Sequence, residues 1–268
     1  MMDALRNCFM ALAALFGSGA GRGGRPDAER GRRSSGAENA EIEAVREILR
    51  RKAVLLETGE EPTSDPLESW IGGVRWKGGG ESPPRDAAGR EMIPLASIFL
   101  EGLPCLPPAL SGLKHLAVFM AADIWDHLGE DDMGPWFAIR AYASLEGLVP
   151  CDWRSAHLTP RPLRPRLVED DYPDWDGGLP EGIEARLHSL EQAGLDYYDT
   201  VREATYEQHK IGGYPTFCQS GRRFGDGYIF VMQIVSDDKA GLNIVDGGHF
   251  YFCYHPQKKD WKAFCDFY

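Results

Sequence analysis

The chain has 268 residues, with 41 acidic side chains against 29 basic ones and a net charge of −12. That length can bury a large core, as one domain or two halves. The acidic balance argues against duplex nucleic acid, because phosphate contacts need clustered Lys and Arg; it suits solubility or a basic protein partner.

The N-terminal text RNCFMALAALFGSGAG has an apolar stretch from Cys8 to Phe16, followed by small residues. It resembles a weak secretory signal, but Asp3 is out of place there and the stretch is too short to span a bilayer. Residues 17–40 are rich in Gly, Arg and Ser and poor in apolar side chains, the composition of a disordered extension. The folded domain is therefore expected over 41–268. Six scattered cysteines (Cys8, Cys105, Cys151, Cys218, Cys253 and Cys265) form no C-x-x-C pair. They predict reduced thiols in a cytoplasmic protein, with no metal and no cofactor. Export through the signal-like segment is the alternative.

Apolar residues at helical spacing predict a helix over Ile42–Leu56. A glycine segment, SWIGGVRWKGGGESPP, follows from Ser69 to Pro84. Strands are expected at Met92–Leu100, in LKHLAVFMAA and in PWFAIRAYAS, the last two separated by the acidic turn DIWDHLGEDDMG. Residues 150–180 are rich in Pro and Asp and predict an extended connection between halves of about 41–150 and 180–268. A helix is expected over Pro180–Gly194, and a second helical stretch over Leu195–His209. YIFVMQIVSDD is apolar almost without alternation, which predicts a strand covered on both faces. HFYFCYHP and WKAFCDFY complete the strands.

Ile71-Gly72-Gly73 repeats as Ile211-Gly212-Gly213, each followed by an apolar strand, which predicts an internal duplication. The second copy reads Lys210, Ile211, Gly212, Gly213, Tyr214, Pro215, then Gln219, Met232-Gln233-Ile234 and Ser236-Asp237-Asp238, then Asp246-Gly247-Gly248 and Tyr251-Phe252. These residues resemble the DUF1963, or YwqG-like, family of uncharacterised bacterial proteins, over roughly Ile42 to Tyr268. The first copy departs from the pattern, with Arg75 at the expected proline and Ser97-Ile98 at the expected Gln-Ile. The resemblance implies an α+β fold, a mostly antiparallel sheet with flanking helices; the repeated segments add the expectation of two lobes related by an internal duplication. It implies no established activity; by analogy with bacterial families found beside toxin genes, it allows an immunity-type role.

Candidate binding residues are Gly212, Gly213, Tyr214, Gln219, Gln233, Asp237, Asp238 and Asp246. The glycines could present N–H groups to an anion, but no phosphate-loop pattern surrounds them, and a turn needing positive φ explains them as well. Gln233 interrupts an apolar strand, so its amide needs partners: a ligand, or the glycine segment itself. The aspartates could bind a cation or act as acid and base, but Asp beside Gly is also ordinary turn chemistry. His249 and His255 share one strand face and could join Asp246 as a metal or hydrolytic set. No nucleophile sits in a recognisable elbow. The acidic runs GEDDMG and VEDDYPDWDGG, with their aromatics, offer a face to a basic protein. The expected function is thus a non-enzymatic protein-binding module. The alternative is a small-ligand binder or hydrolase-like enzyme with a polar site at the ends of the C-terminal strands.

Overall fold

The computed structural model describes residues 36–175 and 177–268. The signal-like segment and most of the expected extension lie outside the described residues.

Helix α1 (Gly36–Leu49) buries Ile42, Val45 and Leu49 along one stripe. It packs on Leu187 and Leu190 of α2 (Glu184–Gln192) and on Tyr197 and Val201. The helix stops seven residues before the expected Leu56, and β1 (Arg51–Thr58) begins almost at once. Four consecutive buried residues, Ala53–Leu56, suit a strand buried on both faces as well as they suit a helix. Here β1 lies between two strands and is paired on both sides.

The fold is α+β and mostly antiparallel. The remaining strands are β2 (Ser69–Ile71), β3 (Gly73–Gly78), β4 (Ile93–Phe99), β5 (His115–Met120), β6 (Phe137–Tyr142), β7 (Leu148–Arg154) and β8 (Arg161–Asp171), then β9 (Lys210–Gly212), β10 (Ile229–Val235), β11 (His249–His255) and β12 (Asp260–Asp266). Ten of the twelve strands form one sheet in the order β12-β11-β10-β9-β1-β8-β2-β4-β5-β6, and β3 pairs with β7 separately. The Pro-rich segment expected as a connection thus contributes β8, which lies in the middle of the sheet. Pro162 and Pro165 remove two ladder donors, yet the Pro162 carbonyl still accepts the Gly59 N–H at 2.8 Å. The second helical stretch expected after Gly194 shrinks to a single wide turn, Tyr197–Val201.

One sheet face carries the main core, with Val54, Ile71, Leu95, Val118, Ile211, Met232, Phe250 and Phe252 in a single cluster. The sheet curls around it. Phe137 on β6 meets Phe250 and Phe252 on β11, at 5.2 and 4.9 Å between ring centres, although these strands stand at opposite ends of the order. The Met133 N–H donates to the Ala263 carbonyl at 2.7 Å and ties the turn before β6 to β12. On the outer face the β3–β7 pair packs Val74 against Ala117 and Phe119 of β5, while α1 and α2 form a cluster of their own with Tyr172, just past β8. The stretch after β9 covers the outer face of β10–β12.

The two I-G-G strands sit on either side of the β1–β8 pair. Their pairing register is the same: Trp70 lies opposite Ser97, and Lys210 lies opposite Gln233.

Candidate functional site

On the outer face of β9–β12 the register lines up polar side chains strand by strand. Lys210 on β9 is opposite Gln233 on β10, which is opposite Tyr251 on β11. One step along, Val235, His249 and Asp266 form the next row. Strand alternation puts both rows on the same face. Residues 213–219, the tail of HKIGGYPTFCQ, run across these rows as a strap.

A strap crossing a sheet cannot use the ladder, so its backbone groups need side-chain partners. Each underlying strand supplies one. The Tyr214 N–H donates to Asp171 Oδ2 from the end of β8 (2.8 Å), and the Thr216 N–H donates to Gln233 Oε1 (3.0 Å). The Thr216 carbonyl accepts from His249 Nδ1–H (2.8 Å). The Cys218 and Gln219 N–H groups donate to Asp266 Oδ2 (3.1 and 3.3 Å), and Gln219 Nε2 donates to the Phe267 carbonyl (2.7 Å). The Tyr251 hydroxyl lies 2.6 Å from Asp266 Oδ1 and 2.7 Å from the Thr216 carbonyl. Its one proton goes to the carboxylate, the stronger acceptor.

The glycines make the entry to the strap possible. Gly212 and Gly213 both have positive φ, 77° and 66°. A Cβ on Gly213 would overlap the Asp171 carboxylate and lie 2.9 Å from Ala53 Cβ. Lys210 and Asp171 are fully buried and form an ion pair, Nζ to Oδ2 3.0 Å, with Nζ also donating to Thr216 Oγ1 (3.0 Å). Burial pushes the Asp171 carboxyl up and the Lys210 amine down, and each charge opposes that shift in the other. Gln233 completes the lock: its Nε2 donates to the carbonyls of Gln208 (3.0 Å) and Tyr206 (3.3 Å).

Of the sequence-predicted residues, Gly212, Gly213, Tyr214, Gln219 and Gln233 therefore converge on the strap, where the Tyr214 N–H and the Gln219 and Gln233 amides are used internally and the buried Tyr214 hydroxyl is left without a partner. Asp237 and Asp238 lie elsewhere, in a cleft of about 420 Å³ with Glu57, Thr58, Glu207, Gln208, His209 and Lys239. Burial works to raise the Asp237 carboxyl, but donors from His209 Nε2 (3.1 Å), Thr58 and the Ala240 N–H (2.8 Å) outweigh it and hold it well below the usual range. His209 Nδ1 accepts the Val235 N–H at 3.0 Å, so neither ring nitrogen is left for proton transfer. Asp246 joins neither group. It is exposed in the β10–β11 turn at φ 43°.

His249 and His255 stand at opposite ends of β11. Sequence reasoning missed the partners that His249 meets. Cys218, His249 and Asp266 each bring one donor atom to within 4.8 Å of the others. Burial, then the Asp266 charge, pushes the Cys218 thiol up to about 12, which leaves it a poor nucleophile as it stands. Burial lowers His249, which favours a neutral ring.

The acidic run at Val168–Gly178 does not form the expected open face. Asp171 is buried, Asp174 pairs with Arg202 (2.5 Å), Asp170 accepts from Tyr206 (2.8 Å) and Glu169 pairs with Lys52 (2.7 Å). In the other run, Asp132 accepts the Gly134 N–H at 2.8 Å and Glu130 pairs with His127.

Residues 158–267 match the family model described as a domain of unknown function, DUF1963. These residues form a DUF1963 domain. The match takes in β8 through β12, and so every partner of the strap from Asp171 to Asp266. No curated protein matches the chain. The first I-G-G copy lies outside the matched DUF1963 region, and its chemistry differs. Trp70 stands where the second copy has Lys210, and the Arg75 guanidinium, in the place of the proline, stacks over the Trp70 ring at 4.3 Å. No helix among the described residues is long and apolar enough to cross a membrane.

Proposed function

We propose that this chain is a non-catalytic polypeptide-binding protein that receives a basic side chain of its partner in the cleft between Glu57, Glu207, Asp237 and Asp238. The observation that carries this reading is the convergence of four carboxylates on one cleft of about 420 Å³, with Lys239 as its one lysine. Glu57 pairs with Arg166, Asp237 is held by His209, and Lys239 pairs with Glu60. Glu207 and Asp238 are exposed and make no ion pair among the described residues. A net charge of −12 steers a basic partner toward such a cleft. The internal use of the strap's backbone N–H groups and the occupied His209 ring support a binding role over a catalytic one.

A basic toxin neutralised by an immunity-type inhibitor is one partner of this class. We also infer a cytoplasmic protein. The five described cysteines are all free, which supports a reducing compartment.

The test is binding of a labelled lysine-rich peptide at several salt concentrations. The parent chain should bind it, more weakly as salt rises, and the Glu207→Gln/Asp238→Asn double variant should bind about tenfold more weakly, the loss of roughly 1.4 kcal/mol. Equal affinity in the double variant, or no dependence on salt, would refute the assignment.

A further inference from the structure

We propose that Cys218, His249 and Asp266 form a three-ligand site for a borderline divalent metal of the zinc class. The trio comes from three elements: the strap, β11 and β12. One sulfur, one imidazole nitrogen and one carboxylate oxygen lie within 4.8 Å of one another. Ligands on one tetrahedral zinc stand roughly 3.5 Å apart, given Zn–S near 2.3 Å and Zn–N near 2.0 Å, so closure needs a shift of about 1 Å. The Cys218 side chain is placed to make it, since it is only half-buried while its N–H stays on Asp266.

The surroundings are those of a ligating set. His249 is 3% exposed, and its Nδ1–H is committed to the Thr216 carbonyl, which fixes the ring and leaves Nε2 with its lone pair. That is the outer hydrogen bond by which proteins orient a ligating histidine. Asp266 is oriented in the same way, by the Tyr251 hydroxyl and two strap N–H groups. A cavity of about 40 Å³ opens on the Asp266 side of the trio, bordered by Tyr251, Gln219 and Asp266. A thiolate in the set excludes calcium and magnesium, which take oxygen ligands, and favours zinc. The bound ion adds a link through the Cys218 side chain to the end of the strap that Asp266 and the Phe267 carbonyl already hold by hydrogen bonds. This site is separate from the acidic cleft, and neither assignment depends on the other.

The experiment uses the full chain, stripped with a chelator, titrated with Co²⁺ and then with Zn²⁺. The parent should bind one equivalent of Co²⁺ with a sulfur-to-cobalt charge-transfer band in the near ultraviolet, and Zn²⁺ should displace it. Cys218→Ser should lose the band and bind Zn²⁺ at least tenfold more weakly, with an unchanged melting temperature in the metal-free state. Cys265→Ser, which removes a buried thiol outside the trio, should keep the band. No band in the parent, a band that survives in Cys218→Ser, or one that disappears in Cys265→Ser would overturn the site.

Discussion

Lys210 and Asp171 form an ion pair that is sealed from solvent on both sides, with Nζ 3.0 Å from Oδ2. The same Asp171 oxygen accepts the Tyr214 N–H, so the pair also fixes the first residue of the strap beyond its glycines. Breaking a buried pair from one side leaves a charge without a partner, which costs about 3–5 kcal/mol. Lys210→Met should destabilise the chain by that amount in urea denaturation. Adding Asp171→Asn should restore part of it, because the amide oxygen still accepts from Tyr214 and no charge is left buried. A double variant as unstable as the sum of the single ones would mean that the two residues are not coupled.

Gly213 separates backbone strain from crowding. A side chain at positive φ costs about 1–2 kcal/mol wherever it stands, and forcing extra atoms into a packed site adds about 1–3 kcal/mol. Gly89 has φ 79° and nothing within 4 Å of an added Cβ, whereas at Gly213 the Cβ would enter the Asp171 carboxylate. Gly89→Ala should therefore show only the strain, and Gly213→Ala about 3 kcal/mol or more. Similar urea midpoints for the two variants would show that the close approach at Gly213 is unimportant.

His115 sets a pH dependence. It is fully buried between Phe99 and Tyr142, its Nε2 lies 2.9 Å from Ser97 Oγ, and its Nδ1 has no partner. Burial lowers it to about 4 in the folded chain. Between that value and the unfolded one near 6.5, the unfolded chain holds one more proton, so stability rises with pH, by roughly 3 kcal/mol over the window. His115→Phe should remove that part of the slope between pH 4 and 6.5. The parent's full slope in this variant would assign it to other groups.

Much of the fold was legible because its strands are uniform. β10 and β11 are nearly continuous apolar runs, and only a strand covered on both faces fits them at that length. The start of β1 was not legible, since Ala53–Leu56 suits helix and strand alike, and the choice is made by the open sides of β8 and β9. β8 was hidden by Pro162 and Pro165, which read as a loop when the carbonyls that still pair are out of view. The two I-G-G strands share one register, Trp70 opposite Ser97 and Lys210 opposite Gln233. At the site, sequence marked HKIGGYPTFCQ and Gln233 correctly as one neighbourhood. It could not mark Asp171 or Asp266, because each is an ordinary acidic residue until the strap brings backbone N–H groups to it.

The central claim is that Tyr214–Gln219 is a strap held by one polar side chain from each strand beneath it. Native-state hydrogen exchange of the Tyr214 and Thr216 amides tests this most directly. Both should exchange only through global unfolding, in step with the Ile234 amide of β10, and Gln233→Ala should selectively expose Thr216. Rapid local exchange of Tyr214 and Thr216 while Ile234 stays protected would contradict the account.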